Sequence, residues 1–170
     1  MIDVRNKHIT IAGAARSGVA AAILLKQKGA IPFLSDSGTV DTKFANELRN
    51  ESIEFEENTH SERAMQGDFL VISPGVPSSS PIAKRFLNEK KSVFSEIELA
   101  SWFNHSPIIA ATGSNGKTTV VNWMHHTWKT AEKECIIAGN IGFAFTGYRQ
   151  CFLSIGYHRA NAVTGFLQLH

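Results

Sequence analysis

Residues 112–119 read Thr-Gly-Ser-Asn-Gly-Lys-Thr-Thr, directly after the apolar run Pro107-Ile108-Ile109-Ala110 and directly before a helical pattern. A glycine-rich turn between a strand and a helix aims backbone N–H groups at a polyphosphate, and the positive end of the helix dipole adds to the attraction. In this pattern Gly113, Ser114, Asn115, Gly116, Lys117, Thr118 and Thr119 form the cradle. Lys117 reaches the terminal phosphates as the candidate catalytic residue, and the Thr118 hydroxyl is the candidate ligand of a Mg²⁺ ion. The chemistry indicated is that of a nucleoside triphosphate. The general phosphate-loop pattern places a glycine where this chain has Ala111, and the extra glycine is Gly113 instead. The competing reading is an ordinary strand-to-helix turn with an incidental lysine.

A second glycine loop lies near the start of the chain. Gly13 and Gly18 follow the apolar segment His8–Ala12, and Asp36 stands at the end of a second apolar run. Its distance from the loop is that of an acid that binds a ribose in dinucleotide sites. This resembles a dinucleotide fingerprint, but Ala15 replaces the middle glycine. That glycine lets a pyrophosphate approach the backbone closely. A nicotinamide dinucleotide is therefore disfavoured, and a nucleotide diphosphate bound more loosely remains open. Helix–strand packing at a tight turn is the structural alternative. Ser73-Pro74-Gly75-Val76-Pro77 ends another apolar run. Ligands of open α/β sheets bind outside the carboxyl ends of the strands. The loop 13–18, Asp36 and the segment 73–77 are thus expected to converge on one crevice.

The elements that must hold these loops follow from periodicity and punctuation. Strands are expected at His8–Ala12, Ile31–Ser35, Ile53–Phe55, Asp68–Ser73 and Val93–Phe94, and helices at Val19–Lys28, Lys43–Arg49 and Pro81–Lys91. Gly29 closes the first helix, and Pro32 is compatible with a strand only near its start or at an edge. Alternating strands and helices imply a Rossmann-like α/β domain, an open parallel sheet with helices on both faces. A second βα series begins near Ser95, with a helix at Glu96–Phe103, a strand at Pro107–Ala111, a helix at Thr118–Ala131 and a strand at Ile136–Ala138. Val120, Val121, Met124, Trp128 and Ala131 have core-facing spacing, and Trp123 and Trp128 are read as packing residues. The domains expected are 1–94 and 95–170, with 147–170 an off-pattern tail lacking a clear period, so that the second α/β domain is incomplete.

Composition narrows the classes. Of 170 residues, 43% are hydrophobic and 19% charged. That balance indicates a globular domain rather than disorder. The 17 basic and 15 acidic residues leave a net charge of +2 with no basic block. Nucleic acid is therefore not an expected partner. No apolar run is long enough for a bilayer, the first residues lack a signal-peptide pattern, and a cytoplasmic location is expected. Cys135 and Cys151 lack metal-ligand spacing and are read as free thiols. His125 and His126 are adjacent on a helix and face different directions.

Taken in order, residues 13–18, Ser35-Asp36-Ser37, Ser73–Pro77, Glu96-Ile97-Glu98-Leu99, Thr112–Thr119 and Gly139-Asn140-Ile141-Gly142 resemble the Mur ligase family, in particular its D-glutamate-adding branch. The likeness covers residues 1 to about 146 and includes the phosphate loop without an early glycine. It implies a Rossmann-like UDP-binding domain followed by an incomplete P-loop ATPase domain. It implies that Arg16, Ser17, Asp36, Ser37, Ser73 and Gly75 hold the UDP end of the substrate and that Asn140 seats its muramoyl portion or phosphates. ATP and Mg²⁺ would occupy the loop of Gly113–Thr119. The implied partners are UDP-N-acetylmuramoyl-L-alanine and D-glutamate, joined in peptidoglycan synthesis through an acyl phosphate. The family's glutamate and paired serines are missing beside Gln168-Leu169, so this chain alone is expected to be an inactive fragment. The rival readings are a non-catalytic UDP-sugar-binding module and an NAD(P)-dependent oxidoreductase.

Overall fold

The computed structural model describes residues 2–104, 108–111, 114–133, 135, 137–139, 144, 146, 153–155 and 167–168. The chain divides into two compact units, Met1–Phe103 and Asn104–His170. The first contains β1 (His8–Ala12), α1 (Arg16–Gln27), β2 (Ile31–Ser35), α2 (Thr42–Asn50), β3 (Glu54–Glu56), a 3₁₀ turn (Ala64–Gln66), β4 (Phe69–Ile72), α3 (Pro81–Asn88), β5 (Val93–Ser95) and α4 (Glu96–Phe103). Its five strands form one sheet in the order β3-β2-β1-β4-β5, and every pairing is parallel.

Period-two alternation assigns the two faces of this sheet. Ile9 and Ile11 of β1, Leu34 of β2, and Phe69 and Val71 of β4 enter one core. Val19, Ala21, Ala22 and Leu25 of α1, Ala45 and Leu48 of α2, and Leu99 of α4 close it. The opposite face carries Ala12 and Leu70, which meet Ile82, Ala83 and Phe86 of α3 and Ala64 and Met65 of the 3₁₀ turn. Burying both faces is the condition for an all-parallel sheet, and near-continuous apolar strands are its consequence.

Pro32 shows how closely the sequence fits this register. β2 pairs with β1 over its whole length, and the Ile31 N–H donates to the Lys7 carbonyl. The next residue faces the other neighbour, but β3 joins only at Phe33–Ser35. The missing N–H of Pro32 therefore falls where no ladder partner stands.

Some boundaries move. α1 begins at Arg16 rather than Val19, and α3 ends at Asn88 rather than Lys91. The first unit extends through α4 to Phe103 rather than stopping at residue 94. The rings of Phe69, Phe94 and Trp102 explain this. They meet edge to face, with centroid separations of 5.3 Å, 5.9 Å and 4.8 Å, and fasten α4 to β4 and β5. Such ring pairs add to the stabilisation that burial alone supplies.

The second unit contains β6 (Ile108–Ala111), α5 (Lys117–Thr130), β7 (Ile137–Gly139), β8 (Leu153–Ile155) and β9 (Leu167–Gln168), with parallel pairing in the order β7-β8-β6-β9. Two short strands thus come from the stretch 147–170, in which the sequence shows no period. Val121 and Cys135 are buried, with Met124, Trp128 and Ile137 packed against them. The core-facing assignment fails for Val120, which is 47% exposed, and for Ala131, exposed just past the helix end, and Trp123, read as a packing residue, is 75% exposed. The stripe that reaches the core is narrower than the apolar pattern suggests, because α5 presents Val121, Met124 and Trp128 to it and turns Trp123 outward. An amphipathic helix buries one stripe only, whatever apolar residues lie outside it. The buried Cys135 Sγ lies 3.8 Å from the His125 carbonyl oxygen, and Cys151 lies outside the described residues.

Gly18 offers a direct test of the packing. A Cβ on it would stand 1.8 Å from the Gly13 carbonyl oxygen and 2.6 Å from the Ser73 Oγ. Gly18→Ala is expected to destabilise the chain by roughly 2 kcal/mol, because the obstructing atom is main chain and must move. Urea unfolding of the variant beside the unsubstituted protein measures this, and an unchanged midpoint would contradict the packing.

Candidate functional site

The strand order reverses between β1 and β4: the chain runs outward through β2 and β3 on one side, and β4 and β5 lie on the other. In doubly wound folds the loops leaving the carboxyl ends of two such strands flank the usual ligand position. Gly13 leaves β1 with φ +99°. That is the region which only glycine enters without strain. A Cβ there would also lie 2.9 Å from Val76 Cγ2 and 3.0 Å from Ser73 Cβ. Ser73 closes the contact from the other side. Its N–H donates to the Ala12 carbonyl (3.0 Å), its hydroxyl donates to the Gly13 carbonyl (3.1 Å), and it is buried.

Asp36 joins the same cluster. Its Oδ2 accepts from the Ala14 N–H (2.6 Å) and its Oδ1 from the Gly38 N–H (2.8 Å). One carboxylate thereby ties the β1–α1 loop to the β2–α2 turn. The expected convergence of the loop 13–18, Asp36 and the 73–77 segment is present in the structure. Arg16 is exposed at the first position of α1, and Ser17 is half-buried beside it. Ser37 is exposed in the turn after Asp36, and Gly75 is exposed with nothing within 4 Å of the place a Cβ would take.

In the second unit Ser114, Asn115 and Gly116 form the turn before α5, and Gly116 takes φ +78° as the residue preceding the helix. Lys117 is half-buried, and its Nζ donates to the Ser114 carbonyl (3.2 Å), so the ammonium folds back over the loop. Thr118 and Thr119 are exposed in the first turn. Gly113 and Asn140 lie outside the described residues.

The helix ends divide into two groups. α2 is capped by Asp41, α3 by Ser80, and the Ser95 hydroxyl accepts from the Glu98 N–H at the start of α4. α1 and α5 have neither a side-chain cap nor an acidic residue in the first turn. These are the two helices that follow glycine loops. N–H groups without a side-chain cap favour an anion at both positions, and at α1 the Asp36 carboxylate already lies against the Ala14 N–H just before the helix. The loop of the second unit thus fits a polyphosphate: it has the open helix end, the left-handed glycine and the lysine over the turn.

A cluster that sequence inspection did not single out stands behind Asp36. The hydroxyl of Ser35 contacts Glu56 Oε1 (2.7 Å), His60 Nδ1 (2.7 Å) and the Thr59 carbonyl (3.2 Å). Glu56 Oε1 also accepts from the Ser61 N–H (2.9 Å). Ser35 is far from the others in sequence and shares no motif with them, so only the β2–β3 pairing reveals the group. Neighbours across a sheet are set by register, which no local pattern records.

Comparison with known proteins gives this geometry a lineage. Residues 9–82 match the profile of the MurD N-terminal domain. The UDP-N-acetylmuramoylalanine--D-glutamate ligase of Salinibacter ruber is 42% identical over 151 residues, covering 86% of this chain and 33% of that protein. The same-named protein of Christiangramia forsetii is 41% identical, covering 82% of this chain and 32% of its own length. The chain spans about a third of the length of these curated relatives. Among solved structures, a murein peptide ligase from Psychrobacter arcticus aligns over 88% of this chain and 37% of its own, with TM-score 0.57 and 17% identity. The UDP-N-acetylmuramate:L-alanyl-gamma-D-glutamyl-meso-diaminopimelate ligase from Neisseria meningitides aligns over 88% of this chain and 52% of its own, with TM-score 0.54 and 19% identity. The fold is thus of the Mur-ligase class. More narrowly, residues 9–82 are similar to the MurD N-terminal domain.

The Glu56 cluster generates a pH prediction. Burial pushes the Glu56 carboxyl up, but hydrogen bonds from Ser61 and Ser35 and the nearby His60 outweigh it, and the group titrates below its ordinary range. Hydrogen bonds to the charged form and a neighbouring cation both favour ionisation. A carboxyl lowered in the folded state stabilises it fully above the unfolded value of about 4.3. That stabilisation is lost as pH falls through the lower folded value. Glu56→Gln is expected to flatten the decline of stability between roughly pH 5 and pH 3. Urea midpoints across that interval test it, and parallel curves for the two proteins would refute it.

Proposed function

We propose that this chain supplies the substrate-loading portion of an ATP-dependent ligase that adds D-glutamate to UDP-N-acetylmuramoyl-L-alanine, a cytoplasmic step of peptidoglycan synthesis. The observation that carries the reading is the 42% identity to a D-glutamate ligase across 86% of the chain. The strand-order reversal between β1 and β4, where ligands of doubly wound sheets bind, supports it independently. Among the described residues no helix is long and apolar enough to cross a membrane.

In this reading the first unit holds the UDP end. The open amino end of α1 receives the diphosphate, with the exposed Arg16 guanidinium beside it and Ser17 in the first turn. Asp36 and Ser37 border the nucleoside, and Ser73 and Gly75 form the opposite wall. The open surroundings of Gly75 let a ligand lie directly against the main chain. Asn140 is assigned to the muramoyl portion.

The second unit receives ATP. Gly113, Ser114, Asn115 and Gly116 cradle its phosphates, with Thr118 placed to hold Mg²⁺ and Thr119 in the same turn. ATP with Mg²⁺ supplies the phosphoryl group that activates the substrate carboxylate. Lys117 neutralises the negative charge that accumulates on the transferred group, and a preorganised cation is most effective where water is excluded. The rival dinucleotide oxidoreductase has less support: residues 9–82 match the MurD N-terminal domain, and Ala15 stands where a dinucleotide loop has its middle glycine.

Calorimetric titration of the full 170-residue chain with UDP-N-acetylmuramoyl-L-alanine is expected to show one site. Asp36→Ala is expected to weaken it by about tenfold, through the two main-chain bonds lost. Absence of binding by the unsubstituted chain would refute the reading. A separate titration with a non-hydrolysable ATP analogue tests the phosphate loop. Lys117→Ala is expected to reduce that affinity by at least about tenfold and to leave the UDP ligand unaffected. Equal analogue binding by the variant would remove Lys117 from the role given it.

A further inference from the structure

We propose that Glu56 and His60 are positioning residues for the nucleotide end of the crevice, acting through the buried hydroxyl of Ser35 to fix the turn that carries Asp36 and Ser37. The inference rests on the assignment of that crevice to the UDP end of the substrate. It extends that assignment to two residues on a different strand and loop.

Ser35 is the last residue of β2 and is 0% exposed. Its carbonyl accepts from the Gly13 N–H (2.9 Å), so it already supports the first glycine loop. From its hydroxyl the connection passes to the loop after β3, and that loop returns to the Asp36 turn at several points. The Asn58 N–H donates to the Gly38 carbonyl (2.9 Å), and the Thr59 N–H to the Asp36 carbonyl (3.2 Å). The Asp36 N–H donates to the Glu56 carbonyl (3.2 Å), and the Val40 N–H to Glu57 Oε2 (2.8 Å). Glu56 Oε1 closes the loop on itself through the Ser61 N–H. The turn at 36–40 is therefore braced from behind by residues 56–61, while the Asp36 carboxylate braces it from the front.

Proton accounting fixes the direction of the central bonds. An ionised Glu56 and the Thr59 carbonyl can only accept, so the single Ser35 proton goes to them, with Glu56 the nearer at 2.7 Å against 3.2 Å. A hydroxyl has one proton, and Ser35 must then accept from His60 Nδ1, which carries the hydrogen. Serine, histidine and glutamate within bonding reach are also the inventory of a hydrolase site. Here the serine is sealed from solvent and its proton points to the carboxylate, away from the histidine. The arrangement orients a loop; it does not present a nucleophile.

The test uses the 170-residue chain and UDP as the probe. Glu56→Ala and His60→Phe are expected to raise the UDP dissociation constant about tenfold. Glu56→Gln keeps an oxygen that accepts from both Ser35 and Ser61 and is expected to restore binding to within about threefold. Glu62→Ala, which removes an exposed partner of Arg85, is expected to leave it unchanged. Amide shifts of the folded variants are expected to move at Ala14 and Asp36–Gly38, and the His60 ¹⁵N shifts of the unsubstituted chain to report hydrogen on Nδ1. If Glu56→Ala fails to fold, His60→Phe and Glu56→Gln decide the matter. Failure of the unsubstituted chain to bind UDP overturns the crevice assignment together with this inference. Binding by the unsubstituted chain, matched within about twofold by folded His60→Phe and Glu56→Ala, overturns the positioning role alone.

Discussion

The approach of the β1–α1 loop to the residue that ends β4 governs the first unit. Gly13 turns the chain with a positive φ, Gly18 lets α1 come down onto the Gly13 carbonyl, and the Ser73 hydroxyl bonds that same carbonyl. Two side chains are absent where a Cβ would meet backbone or Ser73, and one small polar side chain fills what remains. β1 and β4 stay paired to Ala12 and Ile72, and this contact keeps the loops beyond them within hydrogen-bonding distance. Helix α1 is thereby held with its amino end at the mouth of the crevice. The N-cap residue Ala15 supplies no side-chain cap there, and the Asp36 carboxylate accepts from the Ala14 N–H just before it.

The contrast among helix starts extends this logic to the second unit. Side-chain caps contribute about 1 kcal/mol each. They are used at Asp41, Ser80 and Ser95. Their absence at α1 and α5 leaves donors without a side-chain cap at just the two glycine loops. A chain selected only for stability would have capped these helices as it caps the others. The departure from local optimum is what a binding site looks like at the level of helix chemistry.

Much of this was legible in the sequence, and the reasons differ by region. The strands of the first sheet read clearly because each is a short apolar run ended by a turn residue, and β1 and β2 fall where periodicity places them. The glycine loops and Ser73 were found because tight backbone geometry restricts residue type. The boundary after Phe103 was hidden because three ring contacts, which have no sequence period, attach α4 to the first sheet. Trp123 misled because a tryptophan at helical spacing reads as core whichever way the helix is rotated. The Ser35–Glu56–His60 cluster was invisible for a related reason: its bonds join residues distant in sequence and exist only once β2 and β3 are in register.

The use made of Asp36 also accounts for Ala15. In a dinucleotide site the second glycine clears space, and the acid at the end of β2 is left to bind ribose. Here the short Ala14 bond pulls the loop toward β2, and Ala15 adopts an extended conformation at an exposed position. The carboxylate thus helps to shape the loop, while the Ala15 methyl group stands where a dinucleotide loop keeps space for a pyrophosphate. Two of its roughly four acceptor positions remain, enough for a ligand hydroxyl or ring N–H without releasing either main-chain bond. A substitution that kept negative charge at residue 36 but lengthened the side chain would therefore disturb the loop before it disturbed the charge. The bracing from Ser35, Glu56 and His60 serves the same end, since a carboxylate that shapes one loop must itself be held by another.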